Sequence, residues 1–308
     1  MKMRFMVTGA TGQLGSDLVD ALAGRVPPGG TRCSLLGPAG PRSVIDVETL
    51  ALSHAQLGVE DRPSVLNAVE GFRPDVIVHA GAYTAVDACE ADPDTAFKVN
   101  ALGTRNIVEA SQRYGAHLVY VSTDYVFDGT STRPYREWDR PNPRSVYGAS
   151  KLGGEMECPP GATVVRTSWV CGAGGNNMVK VALRLAAGEE RLKFVDDQRG
   201  SPTFTADLAA AIVTLGAERL RGLFHVTNSG DTTWYGFVRA VLACRGHDPE
   251  RVEPISTESL TPPRPAPRPA NSVLDNMALR LAGLPEMPPW EEGLDRLITT
   301  LSGEGARL

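Results

Sequence analysis

Short apolar runs alternate with longer amphipathic ones from the first residue to about residue 170, and this alternation limits the fold more than any other feature. Arg4–Val7 predicts a strand, Gln13–Ala23 a helix, and Asp75–His79 a strand rich in β-branched residues. Asp94–Tyr114 then reads as a helix, His117–Ser122 (HLVYVS) as a strand, Ser145–Glu157 as a helix and Thr163–Thr167 (TVVRT) as a strand. Strands that are near-continuous apolar runs, separated by helices, require a parallel sheet covered on both faces. The expectation is a Rossmann-type doubly wound α/β fold. Arg25–Arg42, rich in Gly and Pro, reads as an inserted loop and leaves two places for the second strand, Arg32–Leu36 or Leu50–Leu52.

Beyond Trp169 the pattern changes. Asn177–Ala187, Thr205–Gly216, Thr233–Cys244 and Pro289–Ser302 predict helices, and Leu192–Val195 and Gly222–Thr227 predict strands. Thr261–Pro269 (TPPRPAPRP) cannot form a regular element. Residues 1–168 with roughly 204–228 read as a dinucleotide-binding domain. Residues 169–203 and 229–308 read as a smaller mixed α/β domain. With 42% hydrophobic and 22% charged residues in 308, the chain is long enough to bury a core. A net charge of −5 argues against nucleic acid or an anionic membrane as partner, and no apolar run reaches the ~18 residues of a membrane helix. Five cysteines without a CxxC pair read as reduced cytoplasmic thiols, and only four residues before the apolar run Phe5-Met6-Val7 are expected to leave no room for a secretory leader.

Between the first strand and first helix lies Thr8-Gly9-Ala10-Thr11-Gly12-Gln13-Leu14-Gly15. Glycines there allow a tight turn and close approach of a pyrophosphate, while the helix N-terminus offers free N–H groups. A ligand-free turn is the plain alternative, which the flanking strand and helix disfavour. An acid at the end of the second strand would select NAD. Ser53-His54 follows one candidate end and Gly37 the other, so neither supplies a carboxylate. NADPH is therefore expected, with NADH as second choice, and Ser53, His54 or Arg42 could meet a 2′-phosphate.

Tyr147 and Lys151 stand four apart on a predicted helix and share a face. A free phenol titrates near ~10, and a neighbouring cation lowers that value. The strand before this helix runs into Ser122-Thr123-Asp124-Tyr125, and ligands collect at the carboxyl ends of such strands. Thr123 could hydrogen-bond a substrate carbonyl while Tyr147 delivers its proton. Thr123, Tyr147 and Lys151 together point to hydride and proton transfer at a C=O/CH–OH pair.

These residues resemble the extended short-chain dehydrogenase/reductase superfamily and, within it, the dTDP-4-dehydrorhamnose reductase family. The likeness runs from Met3 to about Leu301 and is weakest across Arg25–Arg62. Its most specific stretch is Ser122–Glu155, with STDYVFDG, PY-x-E and YG-x-SK-x-x-GE; HAGAYTAVDACE, VVRTSWV, DDQRGSPT and RPANSVLD also match. The resemblance implies that Gly9, Gly12, Gln13, Leu14 and Gly15 cradle the cofactor pyrophosphate. Ala80, Gly81 and Ala82, after the fourth strand, would face the adenosine ribose and nicotinamide side. Thr123, Tyr147 and Lys151 match the catalytic trio, Tyr147 and Lys151 also meeting the cofactor. Tyr83, Asp124, Tyr125 and Trp169 match substrate-pocket positions, and Arg268 lies where a C-terminal loop approaches the nucleotide sugar.

The resemblance implies NAD(P)H-dependent reduction of the C4 ketone of a dTDP-linked 6-deoxyhexulose, dTDP-4-dehydro-L-rhamnose first among them, with the dTDP-sugar as partner. A ketoreductase for an antibiotic deoxysugar or streptose is one alternative. A non-catalytic NADP-binding subunit, like the regulatory subunit of methionine adenosyltransferase, is another. Tyr125 after Asp124 argues against a 4,6-dehydratase, which carries Glu there. Gly58 departs from the family, which places an Asp near the adenine. Some members hold Mg²⁺ between subunits; Asp17 and Asp207 are the nearest equivalents, but no metal is assigned and a homodimer is left open. Asp17 reads instead as a carboxylate serving the dipole at a helix N-terminus. His79 and His225 read as core histidines, and Pro262–Pro269 as a substrate-covering loop rather than a polyproline ligand.

Overall fold

The structure, a computed structural model, describes residues 2–25, 36–37, 40–41 and 46–305. Cys33, Arg42 and most of the candidate strand Arg32–Leu36 lie outside them. Six parallel strands form the central sheet: β1 (Met3–Thr8), β2 (Val47–Leu52), β3 (Val76–His79), β4 (His117–Thr123), β5 (Thr163–Thr167) and β6 (Gly222–His225), in the spatial order β6-β5-β4-β3-β1-β2. Val47–Leu52 pairs along the whole of β1, whereas Leu36–Gly37 pairs with Gly40–Pro41, so the second strand is the one ending at Leu52. Val76–His79 is accordingly the third strand of this sheet, not the fourth.

Alternation along each strand builds two cores. Phe5, Val7, Val76, Val78 and Val119 face helices α1 (Gln13–Leu22) and α8 (Thr205–Ala217), where Leu14, Leu18, Leu208 and Ile212 are buried against them. Met6, Ile77 and Leu118 face α2 (Arg62–Phe72) and α5 (Gly103–Tyr114) through Val65, Val69 and Ile107. Each such side chain contributes ~1.5–3 kcal/mol on burial. From β1 the chain steps to β2 on one side and returns to β3 on the other. The reversal opens a crevice at the carboxyl ends of β1 and β3, where open α/β sheets bind ligands.

The predicted helix 94–114 is broken: α4 (Pro93–Phe97) is followed by a π turn at Lys98–Leu102 and then by α5. Helix α3 (Val86–Ala91) and a strand at Val252–Ile255, which pairs in parallel with Leu192–Val195, were not expected from the sequence. A separate core forms from α7 (Met178–Ala186), α9 (Trp234–Cys244) and α10 (Trp290–Gly305), around Phe204, Phe237 and Trp290. The buried carboxylate of Glu137 accepts the backbone N–H groups of His225 (3.0 Å) and Ala278 (2.9 Å), fastening the C-terminal segment to β6. Among the described residues no helix is long and apolar enough to cross a membrane.

Candidate active site

The turn after β1 is shaped by two glycines. Gly9 has φ +70°, and a Cβ on it would come within 2.8 Å of Gly81; a Cβ on Gly15 would overlap the Gly9 carbonyl oxygen. Gly12 caps α1 with extended backbone, leaving the first N–H groups of the helix without side-chain caps. Glycine at 9 and 15 packs the turn tightly against the 80–81 backbone and the first turn of α1, and the helix N–H groups after Gly12 have no side-chain cap, so the residues present fit a pyrophosphate. Leu14 turns its side chain into the core and can offer only backbone. Gln13 spends its amide elsewhere: Oε1 accepts from the Gly172 N–H (3.2 Å) and Asn177 Nδ2 (2.9 Å). It thus tethers the turn to the second half of the chain. The Ala10 N–H bonds the Leu52 carbonyl (3.1 Å), placing Ser53 next to the turn, where its hydroxyl donates to Gln56 Oε1 at 2.8 Å. Gly58 lies beyond, beside the Glu60 side chain.

Ala80, Gly81 and Ala82 leave β3 directly beside that turn, and the Gly81 N–H reaches Thr8 Oγ1 (3.4 Å). Asn100, buried in the π turn, holds the next residue. Its Oδ1 accepts the Tyr83 N–H (2.8 Å), and Nδ2 donates to the Tyr83 carbonyl (3.1 Å) and to Ser150 Oγ (2.9 Å). One side chain therefore joins the 80–83 loop to α6 (Val146–Glu157), the helix of Tyr147 and Lys151. Sequence reasoning passed over Asn100; the available signal was a poor helix former inside an otherwise good helical run. π turns recur at functional sites.

Thr123 ends β4, and α6 begins at its N-cap Ser145, whose side chain accepts the Gly148 N–H (3.1 Å). A Cβ on Gly148 would overlap the Tyr125 carbonyl oxygen, so glycine next to Tyr147 lets the 123–125 turn press against the helix. Thr123 and Tyr147 meet there, and the rings of Tyr125 and Tyr147 pack edge to face with centroids 5.5 Å apart. Lys151 is 2% exposed; its Nζ donates to the Val121 carbonyl (2.7 Å) and sits 4.2 Å from the Tyr120 ring centroid. Desolvation lowers the Lys151 pKa to about 7, and Glu155 opposes that shift. Glu155 is itself held by a buried bidentate pair with Arg166 and by the Ser122 hydroxyl. The Tyr147 phenol differs from the sequence expectation. Burial raises its pKa, and the group that most opposes this is the Thr123 hydroxyl rather than Lys151, whose ammonium is turned to Val121.

Trp169 follows β5 with left-handed backbone (φ +46°), a strained conformation for such a residue. Its ring lies flat on Trp234, centroids 3.6 Å apart and planes 4° from parallel. Arg268 forms a two-pronged pair with Asp87 of α3 (2.7 and 2.9 Å), pinning the proline-rich segment near Tyr125. Burial pushes the Tyr125 phenol up to about 12.

Asp17 needs a correction. It lies in the second turn of α1, not at the end where the dipole acts, and its carboxylate accepts the Thr205 hydroxyl. Asp207 is bound by Arg296 and Asn228 Nδ2 (2.8 Å). Both carboxylates are already engaged by this chain's own groups, and a cation beside Asp207 would face the Arg296 guanidinium. A cavity of about 230 Å³ opens here, lined by Asp17, Thr205 and Arg296 and not by Tyr147. His79 bonds Thr8 (2.7 Å) and His225 the Tyr135 carbonyl (3.1 Å); desolvation takes both to a pKa of about 3, as suits core histidines.

The family model described as RmlD substrate binding domain matches residues 3–302. This chain belongs to that family. Within the RmlD family, the dTDP-4-dehydrorhamnose reductase of Streptomyces griseus is 40% identical, covering 99% of this chain and 96% of that protein. The dTDP-4-keto-6-deoxy-D-glucose reductase of Streptomyces niveus is 36% identical over 99% of both. The crystal structure of Bacillus anthracis dTDP-4-dehydrorhamnose reductase in complex with NADP superposes with a TM-score of 0.85, at 38% identity, over 97% of this chain and 99% of that one.

Proposed function

We propose that this protein is an NADPH-dependent reductase of the C4 ketone of a dTDP-linked 6-deoxyhexulose, converting dTDP-4-dehydro-L-rhamnose to dTDP-L-rhamnose. The observation that carries this reading is the meeting of Thr123 and Tyr147 at the carboxyl end of β4, one helical turn from buried Lys151. Residues 1–168 with 204–228 bind the dinucleotide, and 169–203 with 229–308 bind the sugar nucleotide. The glycine turn takes the pyrophosphate on Gly9, Gly12, Gly15 and the backbone of Gln13 and Leu14, while Ala80, Gly81 and Ala82 line the crevice beside it. NADPH supplies a hydride when bound. Tyr147 holds the proton that the ketone oxygen receives, Thr123 orients that oxygen and bonds the phenol, and Lys151, held by the Val121 carbonyl, bonds the ribose. Tyr83, Asp124, Tyr125 and Trp169 line the sugar site, and Arg268 closes it.

The likeness to the Streptomyces niveus reductase favours, as second reading, a ketoreductase acting on a deoxysugar of different stereochemistry. Incubating the purified protein with NADPH and either dTDP-4-keto-6-deoxyhexose separates the two. Consumption of NADPH with dTDP-L-rhamnose as product supports the first reading, and a different dTDP-6-deoxyhexose the second. NADPH binding without turnover of either sugar would overturn both.

A further inference from the structure

A threonine hydroxyl has one proton to give and two lone pairs to fill. Thr123 Oγ1 accepts the Tyr125 backbone N–H at 3.2 Å and lies 2.9 Å from Asp124 Oδ1. An ionised carboxylate can only accept, so it draws the Thr123 proton to itself and leaves Oγ1 facing the site as an acceptor. A carboxyl that carries its proton on the oxygen facing Thr123 reverses the bond, leaving the other oxygen as a neutral carbonyl. The carboxyl donates to Oγ1, both lone pairs are then filled, and the Thr123 proton is free for the ketone oxygen. We infer that Asp124 is a positioning residue that sets the direction of the Thr123 hydroxyl, which donates to substrate only while the Asp124 carboxyl carries a proton. This inference rests on the reductase reading above.

The surroundings of Asp124 hold the proton more tightly than water does. The residue is 2% exposed, and its Oδ2 has no hydrogen-bond partner, a costly state for an ionised oxygen. Against burial, the Ser272 hydroxyl on the C-terminal segment, which also lies 3.4 Å from the Arg199 carbonyl, the Thr123 hydroxyl and the backbone N–H groups of Asp124 and Tyr125 favour the ionised carboxylate, and burial outweighs them. Asp124 acts in turn on Tyr147 of α6 and on Tyr125; Cys89 of α3 also faces Tyr147, Asp87 of α3 with Arg264 and Arg268 of the proline-rich segment faces Tyr125, and Lys151 stands one turn beyond Tyr147. The cations are occupied, Arg268 with Asp87 and Lys151 with the Val121 carbonyl. Desolvation accordingly raises the Asp124 pKa to about 6. In the reaction the hydride adds to the carbonyl carbon and the former π pair takes the Tyr147 proton. Asp124 gains and loses none.

The sign follows. A carboxyl with a raised pKa holds its proton below about 6 and loses it above, so kcat/KM, which reports the free enzyme, should fall as pH rises through that value. Measuring kcat/KM between about pH 5 and 8 tests this on wild type, Asp124→Asn and Asp124→Ala, with NADPH titrations to verify folding. Wild type should decline close to tenfold per unit above about 6. In Asp124→Asn the amide N–H can donate to Oγ1 at every pH, so the decline should shrink to under ~3-fold across the range. Asp124→Ala should lose at least ~10-fold throughout. A flat wild-type profile, or an Asn profile parallel to wild type, overturns the inference. The wild-type half stands even if a variant does not fold. Failure of the reductase reading would look different, with no NADPH consumed by wild type at any pH.

Discussion

Tyr147 carries its phenol into a low-dielectric corner where burial raises its pKa and makes it a weaker acid, so in the proposed reaction it gives up its proton only to the strongly basic alkoxide that hydride addition creates. Tyr147→Phe should lower turnover by ~10²–10⁴-fold while NADPH affinity stays near wild type, since only the acid is lost. Steady-state kinetics with a cofactor titration check this, and retention of half the activity would remove Tyr147 from its role. Lys151 shows the stability cost of a functional charge. With its pKa lowered to about 7, the folded state binds less proton than the unfolded state between about 7 and ~10.4, and stability rises with pH across that window. Below it, the buried ammonium is carried at full cost. Lys151→Met is expected to be inactive yet to melt higher than wild type near pH 6, the gain shrinking as pH approaches ~10. Thermal melts at several pH values decide; a variant less stable at pH 6 would mean that the Val121 bond outweighs desolvation.

The π turn between α4 and α5 brings Asn100 inward, where its single side chain satisfies both polar groups of the Tyr83 backbone and the Ser150 hydroxyl. Removing it leaves buried donors and acceptors without partners, at ~1–3 kcal/mol for each unsatisfied group. Asn100→Ala should therefore lower the denaturation midpoint and also weaken kcat/KM, because the loop after β3 and the helix of Tyr147 lose their shared anchor. Urea titration and kinetics together check both halves. Unchanged kinetics in a destabilised variant would make Asn100 structural alone. Helix α6 is tied from its other side by Gly148, which admits the Tyr125 carbonyl, and by the Arg166–Glu155 pair beneath Lys151.

At the level of the whole molecule, the order β6-β5-β4-β3-β1-β2 puts the glycine turn, the 80–83 loop and the end of β2 around one crevice. On the proposed reading, cofactor choice is made at its rim. Leu52 ends β2 beside the turn, and Ser53 and His54 follow, with no carboxylate to repel a 2′-phosphate. NADPH should exceed NADH in kcat/KM by at least ~5-fold, about 1 kcal/mol. Ser53→Asp should reverse that order. Measuring both cofactors on both proteins is sufficient; an NADH-favoured wild type would refute the preference, and an unaltered ratio in the variant would mean that Ser53 does not face the ribose.

Periodicity and turn chemistry are local, and whatever depends on them could be read directly. Runs such as HLVYVS and TVVRT declared a sheet buried on both faces, Gly9 and Gly15 declared a tight approach after β1, and the spacing of Tyr147 and Lys151 declared a shared helical face. The second strand could not be chosen that way, because Leu36 and Leu52 end equally plausible apolar runs; pairing of Val47–Leu52 with β1 decided it. Partners distant in sequence were likewise beyond reach. Gln13 is tied to Asn177, Trp169 stacks on Trp234, and Arg268 closes on Asp87. Lys151 turns to Val121, and even Thr123 and its neighbour Asp124 acquire their meaning from a burial that α6 and the C-terminal segment impose. A side chain's residue type sets what it can donate or accept, but desolvation and the nearest competing partner set what it does, and those exist only once the chain has folded.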